Sequence, residues 1–463
     1  MEYRKNDEIE LQITDLGTEG EGIGKTGAFT WFIKDAIPGD KIKAVVTKVG
    51  KTYGFARLKE ITVPGADRIK PACQIAKRCG GCVLQEMNYA SQLKFKENKV
   101  KNALERIGGF RLDEGETEFF PVIGMENPFR YRNKAQVPVG KNRNGKCVAG
   151  FYAGRTHCIV PCDDCLLGPE ENRDILKTVL FFMDEYHIDP YDEESHAGLV
   201  RHVLIRKGFS TGEIMVCLVI NGRKLPYADT LCERLSRFPG MKTVVLNINT
   251  DRTNVILGKE TAVLSGPGYI EDLLGGIRFR ISAQSFYQVN PVQTEKLYGK
   301  AAEYAALTGK ETVWDLYCGI GTISLFLSKM AEKVCGVEIV PQAIDDAREN
   351  ADRNGIKNVR FFTGKAEEVL PEQVEKNKAR ADVIVVDPPR KGCDGRCLET
   401  MLQMRPERIV YVSCDPATLA RDLKILCADG TYGLKKVQPV DLFPQTGHVE
   451  TVVLMSKVGV EYA

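Results

Sequence analysis

The chain has 463 residues, of which 43% are hydrophobic and 27% charged, with a net charge of +2. This balance excludes low-complexity, fibrous and disordered chains, and the length fits roughly two to four domains. No apolar run approaches the roughly 18 residues that a membrane helix needs, and the polar start Met1-Glu2-Tyr3-Arg4-Lys5 lacks a secretory pattern. A cytoplasmic location is therefore expected, where the fifteen cysteines should ligate metal or react rather than pair as disulfides.

Residues 1–62 read as a small β-barrel. The alternation Glu8-Ile9-Glu10-Leu11-Gln12-Ile13, the runs Trp31-Phe32-Ile33 and Lys41–Val46, and glycine-rich turns between them predict short strands. Such a pattern suits an OB-like barrel, a common nucleic-acid module, and is similar to the TRAM domain of RNA-modifying enzymes. Next comes Cys73-x5-Cys79-Gly80-Gly81-Cys82, three thiols at a spacing that suits zinc or an iron–sulfur cluster and that calls for a fourth. Cys147, Cys158, Cys162 and Cys165 are the candidates. A helix is predicted over 91–107.

Residues 68–101 hold eight Lys/Arg against two acids, and 121–150 hold six against one. Either stretch could face a polyanion. Within the second, Phe129-Arg130-Tyr131-Arg132-Asn133-Lys134 mixes cations with aromatics, as contacts to single-stranded or looped RNA require. Val200–Arg206 and Glu213–Val219 predict a hairpin in an α+β middle region spanning 63–261. From 262 to 463 strands and helices alternate, predicting a doubly wound α/β domain.

In that domain Glu311–Leu316 reads as a strand, Tyr317-Cys318-Gly319-Ile320-Gly321-Thr322 as a glycine turn and Ile323–Met330 as a helix. The form D-x-x-x-G-x-G differs from the dinucleotide fingerprint and resembles the first motif of class I S-adenosylmethionine methyltransferases. The following strand, Lys333–Glu338, ends in an acid suited to a ribose hydroxyl pair. The apolar strand 381–386 delivers Asp387-Pro388-Pro389-Arg390. The next, Arg408–Ser413, delivers Cys414-Asp415-Pro416. Asp415 is a candidate helix cap and Pro416 fits a first helical turn. A thiol there is expected to feel the positive helix end, which lowers its pKa.

N-P-P-Y at the 387–390 turn would suit attack by an exocyclic amine. D-P-P-R followed by a cysteine suits carbon as the methyl acceptor. Carbon 5 of uracil is a poor nucleophile until a thiolate adds to carbon 6, and a base must later remove the carbon 5 proton. Cys414 is the predicted nucleophile and Glu450 the predicted base, with His448 the competing base. An acid at the start of the apolar run Thr451–Leu454 is costly unless used or paired.

These motifs together, with Phe286-Tyr287-Gln288-Val289-Asn290 and His448-Val449-Glu450, resemble the uracil-5 RNA methyltransferases in their form with a TRAM domain and an iron–sulfur cluster. The resemblance implies S-adenosyl-L-methionine as methyl donor, contacted by Gln288, Tyr317, Glu338 and Asp387. It implies Cys414 as nucleophile, Glu450 as base and Phe286 against a uracil turned out of its stack. It further implies a 4Fe–4S cluster on Cys73, Cys79, Cys82 and Cys165, with Cys162 the runner-up. The other ten cysteines are expected to be small buried hydrophobes. The expected substrate is RNA, with 23S ribosomal RNA favoured over transfer RNA, and no obligate protein partner is evident. A non-catalytic RNA-binding assembly factor is the reading from another class.

Overall fold

The computed structural model describes residues 3–112, 115–154 and 156–459. The N-terminal strands Glu8–Leu16, Gly22–Thr26, Phe29–Lys34, Tyr53–Val63 and Lys41–Val49 close in that spatial order into a barrel. Alternation builds it. Ile9, Leu11 and Ile13 point inward from the first strand and meet Trp31, Ile33, Ala44 and Val46. The helix predicted over 91–107 runs Tyr89–Ala103 and ends in a π-helical turn, Leu104–Gly108.

The middle region is a seven-stranded sheet in the order Glu260–Ser265, Met241–Ile248, Ile214–Ile220, Val200–Lys207, Lys134–Lys141, Cys147–Tyr152, Ile159–Pro161. The predicted hairpin forms its centre, with Val203 opposite Leu218 and Ile205 opposite Val216. Every residue of Ile214–Ile220 is buried, because both faces of the sheet are covered. Val216 and Leu218 pack with Ile175 and Phe182 of the helix Glu171–Glu185. Met215 and Cys217 join the core of the C-terminal domain.

That domain has an eight-stranded sheet. Val359–Thr363, Lys333–Glu338, Thr312–Leu316, Val383–Val386 and Arg408–Ser413 run parallel. Glu450–Lys457 pairs antiparallel with Arg408–Ser413, and Tyr432–Val440 follows. Strand order reverses between Thr312–Leu316 and Val383–Val386, so a crevice opens at their C-terminal ends. The edge strand is Glu118–Phe119, paired with Lys436–Val437. Val100, Leu104 and Leu112 share a core with Leu419 and Leu423. The stretches 89–112 and 118–119 lie inside the span read from sequence as the middle region, yet they pack on the C-terminal domain. An apolar helix face shows that it must be buried, not against what.

Candidate active site

The crevice holds a cavity of about 730 Å³. Its lining brings together Gln288, Tyr317, Glu338, Asp387, Cys414 and Glu450, six residues spread over more than 160 positions of sequence. Phe286 also lines it and is 68% exposed.

The glycine turn is one wall. Tyr317 takes a left-handed backbone (φ 68°), as do Gly319 and Gly321. A Cβ on Gly319 would meet open space, so the turn presents bare backbone to a ligand. Glu338 holds this shape. Its Oε2 accepts from the Gly319 amide at 3.2 Å and its Oε1 from the Val340 amide at 2.9 Å.

The Asp387 turn is fastened from behind. Thr418 Oγ1 donates to the Arg390 carbonyl at 3.1 Å and Arg421 Nη2 to the Lys391 carbonyl at 2.8 Å. Buried Asp422 accepts from the Cys393 amide (2.8 Å) and the Tyr411 hydroxyl (2.7 Å). Gly392, at φ 78°, has no room for a side chain: a Cβ would stand 2.5 Å from Asp422 Oδ2. The Asp387 turn and the Cys414 turn are therefore tied to the same helix, Pro416–Leu426.

Asp415 caps that helix, accepting from the amides of Ala417 and Thr418 at 2.9 and 3.0 Å, with Pro416 in the first turn. The cap is as expected, but its electrostatic consequence is not. Burial, then the carboxyls of Glu450 and Asp387, raise the Cys414 thiol to about 11, and Arg390 offsets only part of this. The expected depression by the helix end is overturned. A helix terminus contributes about 0.3–1 kcal/mol, and at most about 2 kcal/mol at a partly buried site, which desolvation and two acids outweigh.

Glu450 is 3% exposed at the start of its strand. Burial and the neighbouring Asp387 push its carboxyl well up, against Arg390. Burial also raises Asp387. His448 lines the cavity too, half-buried beside Phe443 and held towards its neutral form by burial and by Arg390 and Lys99. Of the titratable groups acting on Cys414, Glu450 acts most strongly.

The sequence reading overlooked Phe443, Tyr298 and Lys365 in the lining. Phe443 sits in the loop 441–448 and carries no local signal. The loop is held by distant partners: Lys96 Nζ contacts Asp441 Oδ1 and the Phe443 carbonyl, and Tyr131 donates to the Pro444 carbonyl.

The three cysteines of 73–82 and Cys162 and Cys165 come from separate loops yet feel one another. Cys82 is raised to about 12 by burial, with Cys165, Cys79 and Cys73 adding to it. Cys162 likewise feels Cys165, Cys73 and Cys79. Among the described residues no group of three or more Cys, His, Asp or Glu side chains is placed to hold a metal ion. The donor set is all sulfur, which suits zinc or iron–sulfur chemistry and not a hard cation.

Comparison with known proteins agrees with this geometry. Residues 274–458 match the tRNA (uracil-5-)-methyltransferase family and residues 4–59 the TRAM domain. An uncharacterized RNA methyltransferase of Halalkalibacterium halodurans is 52% identical over 97% of this chain and 97% of its own. The chain belongs to the uracil-5 RNA methyltransferase family. A further relative in Clostridium tetani, also named an uncharacterized RNA methyltransferase, is 49% identical over 98% of both chains. Among solved structures, the Pyrococcus abyssi tRNA (uracil-54, C5)-methyltransferase in complex with S-adenosyl-L-homocysteine matches with a TM-score of 0.77. It is 26% identical and covers 96% of this chain and 100% of that one. This methyltransferase therefore combines the TRAM barrel and class I domain expected from sequence.

Proposed function

We propose that the protein methylates carbon 5 of a uridine in structured RNA through a covalent adduct on Cys414. The observation that carries this is the meeting of Cys414, Glu450 and Asp387 in one cavity with the glycine turn. S-adenosyl-L-methionine is the proposed donor and supplies an electrophilic methyl on a sulfonium. The bare turn at Gly319, with Tyr317, Glu338, Gln288 and Asp387 around it, fits such a ligand.

The chemistry assigns two protons. The Cys414 sulfur bonds to carbon 6, the 5,6 double bond opens to an enolate, and the thiol loses its proton. Carbon 5 takes the methyl. A base then removes the carbon 5 proton, the C6–S bond breaks and the double bond reforms. Two carboxyls with raised proton affinity, buried Glu450 and half-buried Asp387, act on the thiol. Glu450 is assigned the carbon 5 proton, leaving Asp387 as acceptor for the thiol proton.

RNA carrying 5-fluorouracil tests the mechanism, because fluorine at carbon 5 cannot leave as a proton. With wild type and donor, a protein–RNA adduct should persist under denaturing electrophoresis and vanish in Cys414→Ala. An unchanged adduct in that variant overturns the assignment.

Ribosomal RNA is the proposed substrate class, by analogy with the barrel-plus-cysteine-loop architecture. Transfer RNA is the second reading, favoured by the similarity to the Pyrococcus abyssi tRNA (uracil-54, C5)-methyltransferase. Mapping 5-methyluridine in both RNAs from a deletion strain separates them. A 4Fe–4S cluster on Cys73, Cys79, Cys82 and Cys165, with Cys162 the alternative fourth ligand, completes the proposal. Iron and acid-labile sulfide in anaerobically purified protein support it; stoichiometric zinc alone rejects it.

A further inference from the structure

The wall of the cavity formed by the middle region carries an unbalanced charge. Lys134 starts the strand Lys134–Lys141 and Arg206 stands opposite it on Val200–Lys207. Arg132 and Lys134 both line the cavity. Arg206 is 2% exposed. Its guanidinium donates to the Ser285 carbonyl, and its Nε has no partner. No carboxylate pairs with Arg132, Lys134 or Arg206 among the described residues. Arg132 lies over the rings of Tyr131 and Phe443, each 5.9 Å away. Burial pulls the Lys134 pKa down to about 8, and the charges that add to this are Arg206 and Arg132, both cations.

Three cations gathered without an acid are costly to bury. The same segment is tied to the residues around Phe286. Arg206 holds the Ser285 carbonyl, and Asn133, between the two cavity-lining cations, donates to the Gln288 carbonyl at 2.9 Å. Phe286, the ring proposed to meet the base, lies between those two anchored residues. Lys134 and Phe286 line the same cavity. The donor's turn at Tyr317–Gly321 belongs to the other wall, which the C-terminal domain supplies.

We propose that Lys134, flanked by Arg132 and backed by Arg206, is a phosphodiester subsite that grips the RNA backbone beside the uridine turned into the cavity. The anion supplies the partner that no carboxylate of the protein provides to these three, since the acids of the cavity, Glu338, Asp387 and Glu450 among them, pair with none of them. The assignment rests on the RNA reading above but not on methyl transfer.

The test uses the full-length Cys414→Ser protein, which binds without turning over, and a short fluorescent oligouridylate titrated across a salt series. Lys134→Gln should weaken binding and reduce the slope of log affinity against log salt by about 0.7, the value for one single-strand phosphate contact. Lys134→Arg should restore both. Affinity for S-adenosylhomocysteine should stay unchanged in both variants, which also reports that they fold. An unaltered salt slope in Lys134→Gln overturns the proposal. So does loss of S-adenosylhomocysteine affinity in place of RNA affinity, which would make the subsite's anion the donor's carboxylate. Failure of the methyltransferase reading itself would show differently, as RNA binding with the predicted slope but no 5-methyluridine from wild type.

Discussion

At the scale of single residues, the thiol of Cys414 is set by what surrounds it rather than by the helix it precedes. Held near 11 by burial, Glu450 and Asp387, it is protonated at neutral pH, and its thiolate fraction grows as pH climbs towards that value. Alkylation of Cys414 by iodoacetamide should therefore still be accelerating at about pH 10, where an ordinary thiol has levelled off. Glu450→Gln removes the largest charged contribution to the rise, so the alkylation curve should move to lower pH, by roughly one unit. A curve that levels near pH 8 in wild type would contradict the carboxylate environment. The same substitution separates the proposed roles in turnover. Without its base, Glu450→Gln should lose about 100- to 10,000-fold in the rate of product release. It should also accumulate the Cys414 adduct on ordinary uridine RNA, read by denaturing electrophoresis. A variant that turns over normally would pass the role to His448.

Between elements, the loop 441–448 connects the site to a helix more than 300 residues earlier in the chain. Lys96 and Asp441 are both fully buried, Tyr89 adds a hydrogen bond to Asp441 at 2.8 Å, and burial pulls the Lys96 pKa down despite its partner. Breaking such a pair by removing one side strands the other charge, at a cost of about 3–5 kcal/mol. Lys96→Met should lower the urea midpoint accordingly, and the double variant Lys96→Met/Asp441→Asn should recover most of the loss. Equal loss in both would mean that packing and not charge holds the loop. Contacts like these explain what the sequence hid. The helix cap at Asp415, the glycine turn and the strand-end acid at Glu338 are local patterns, governed by neighbours within a few residues, and each was legible. The Lys96–Asp441 pair and the placing of Phe443 in the cavity depend on segments hundreds of positions apart, and the rise of the Cys414 pKa on the ends of three different strands. Spacing along one chain segment carries no trace of them.

On the scale of the whole molecule, the division of labour among the modules differs from their order in sequence. The C-terminal sheet borrows its edge strand Glu118–Phe119 and the helix Tyr89–Ala103, whose Val100 packs in the same core as Leu419 and Leu423. The alternating residues of Ile214–Ile220 fill two cores at once, with Met215 and Cys217 in one and Val216 and Leu218 in the other. A fragment comprising 262–463 therefore lacks apolar surface that its own core requires, although it contains every strand of the parallel sheet. Expressed alone, it should bind a hydrophobic dye and unfold without a cooperative transition. The barrel is the opposite case. Its core of Ile13, Trp31, Ile33 and their neighbours is closed on itself, and polar contacts join it to the rest of the chain. Asp40 pairs with Arg68, which also holds Glu86 at 2.9 Å, and Lys99 reaches the Thr18 carbonyl while keeping that of Gly447. A fragment starting at residue 64 retains those second partners. It should unfold cooperatively and bind S-adenosylhomocysteine as the full chain does, while its affinity for RNA falls. Loss of S-adenosylhomocysteine binding in that fragment would show that the barrel shapes the cavity and is more than an RNA-binding addition to it.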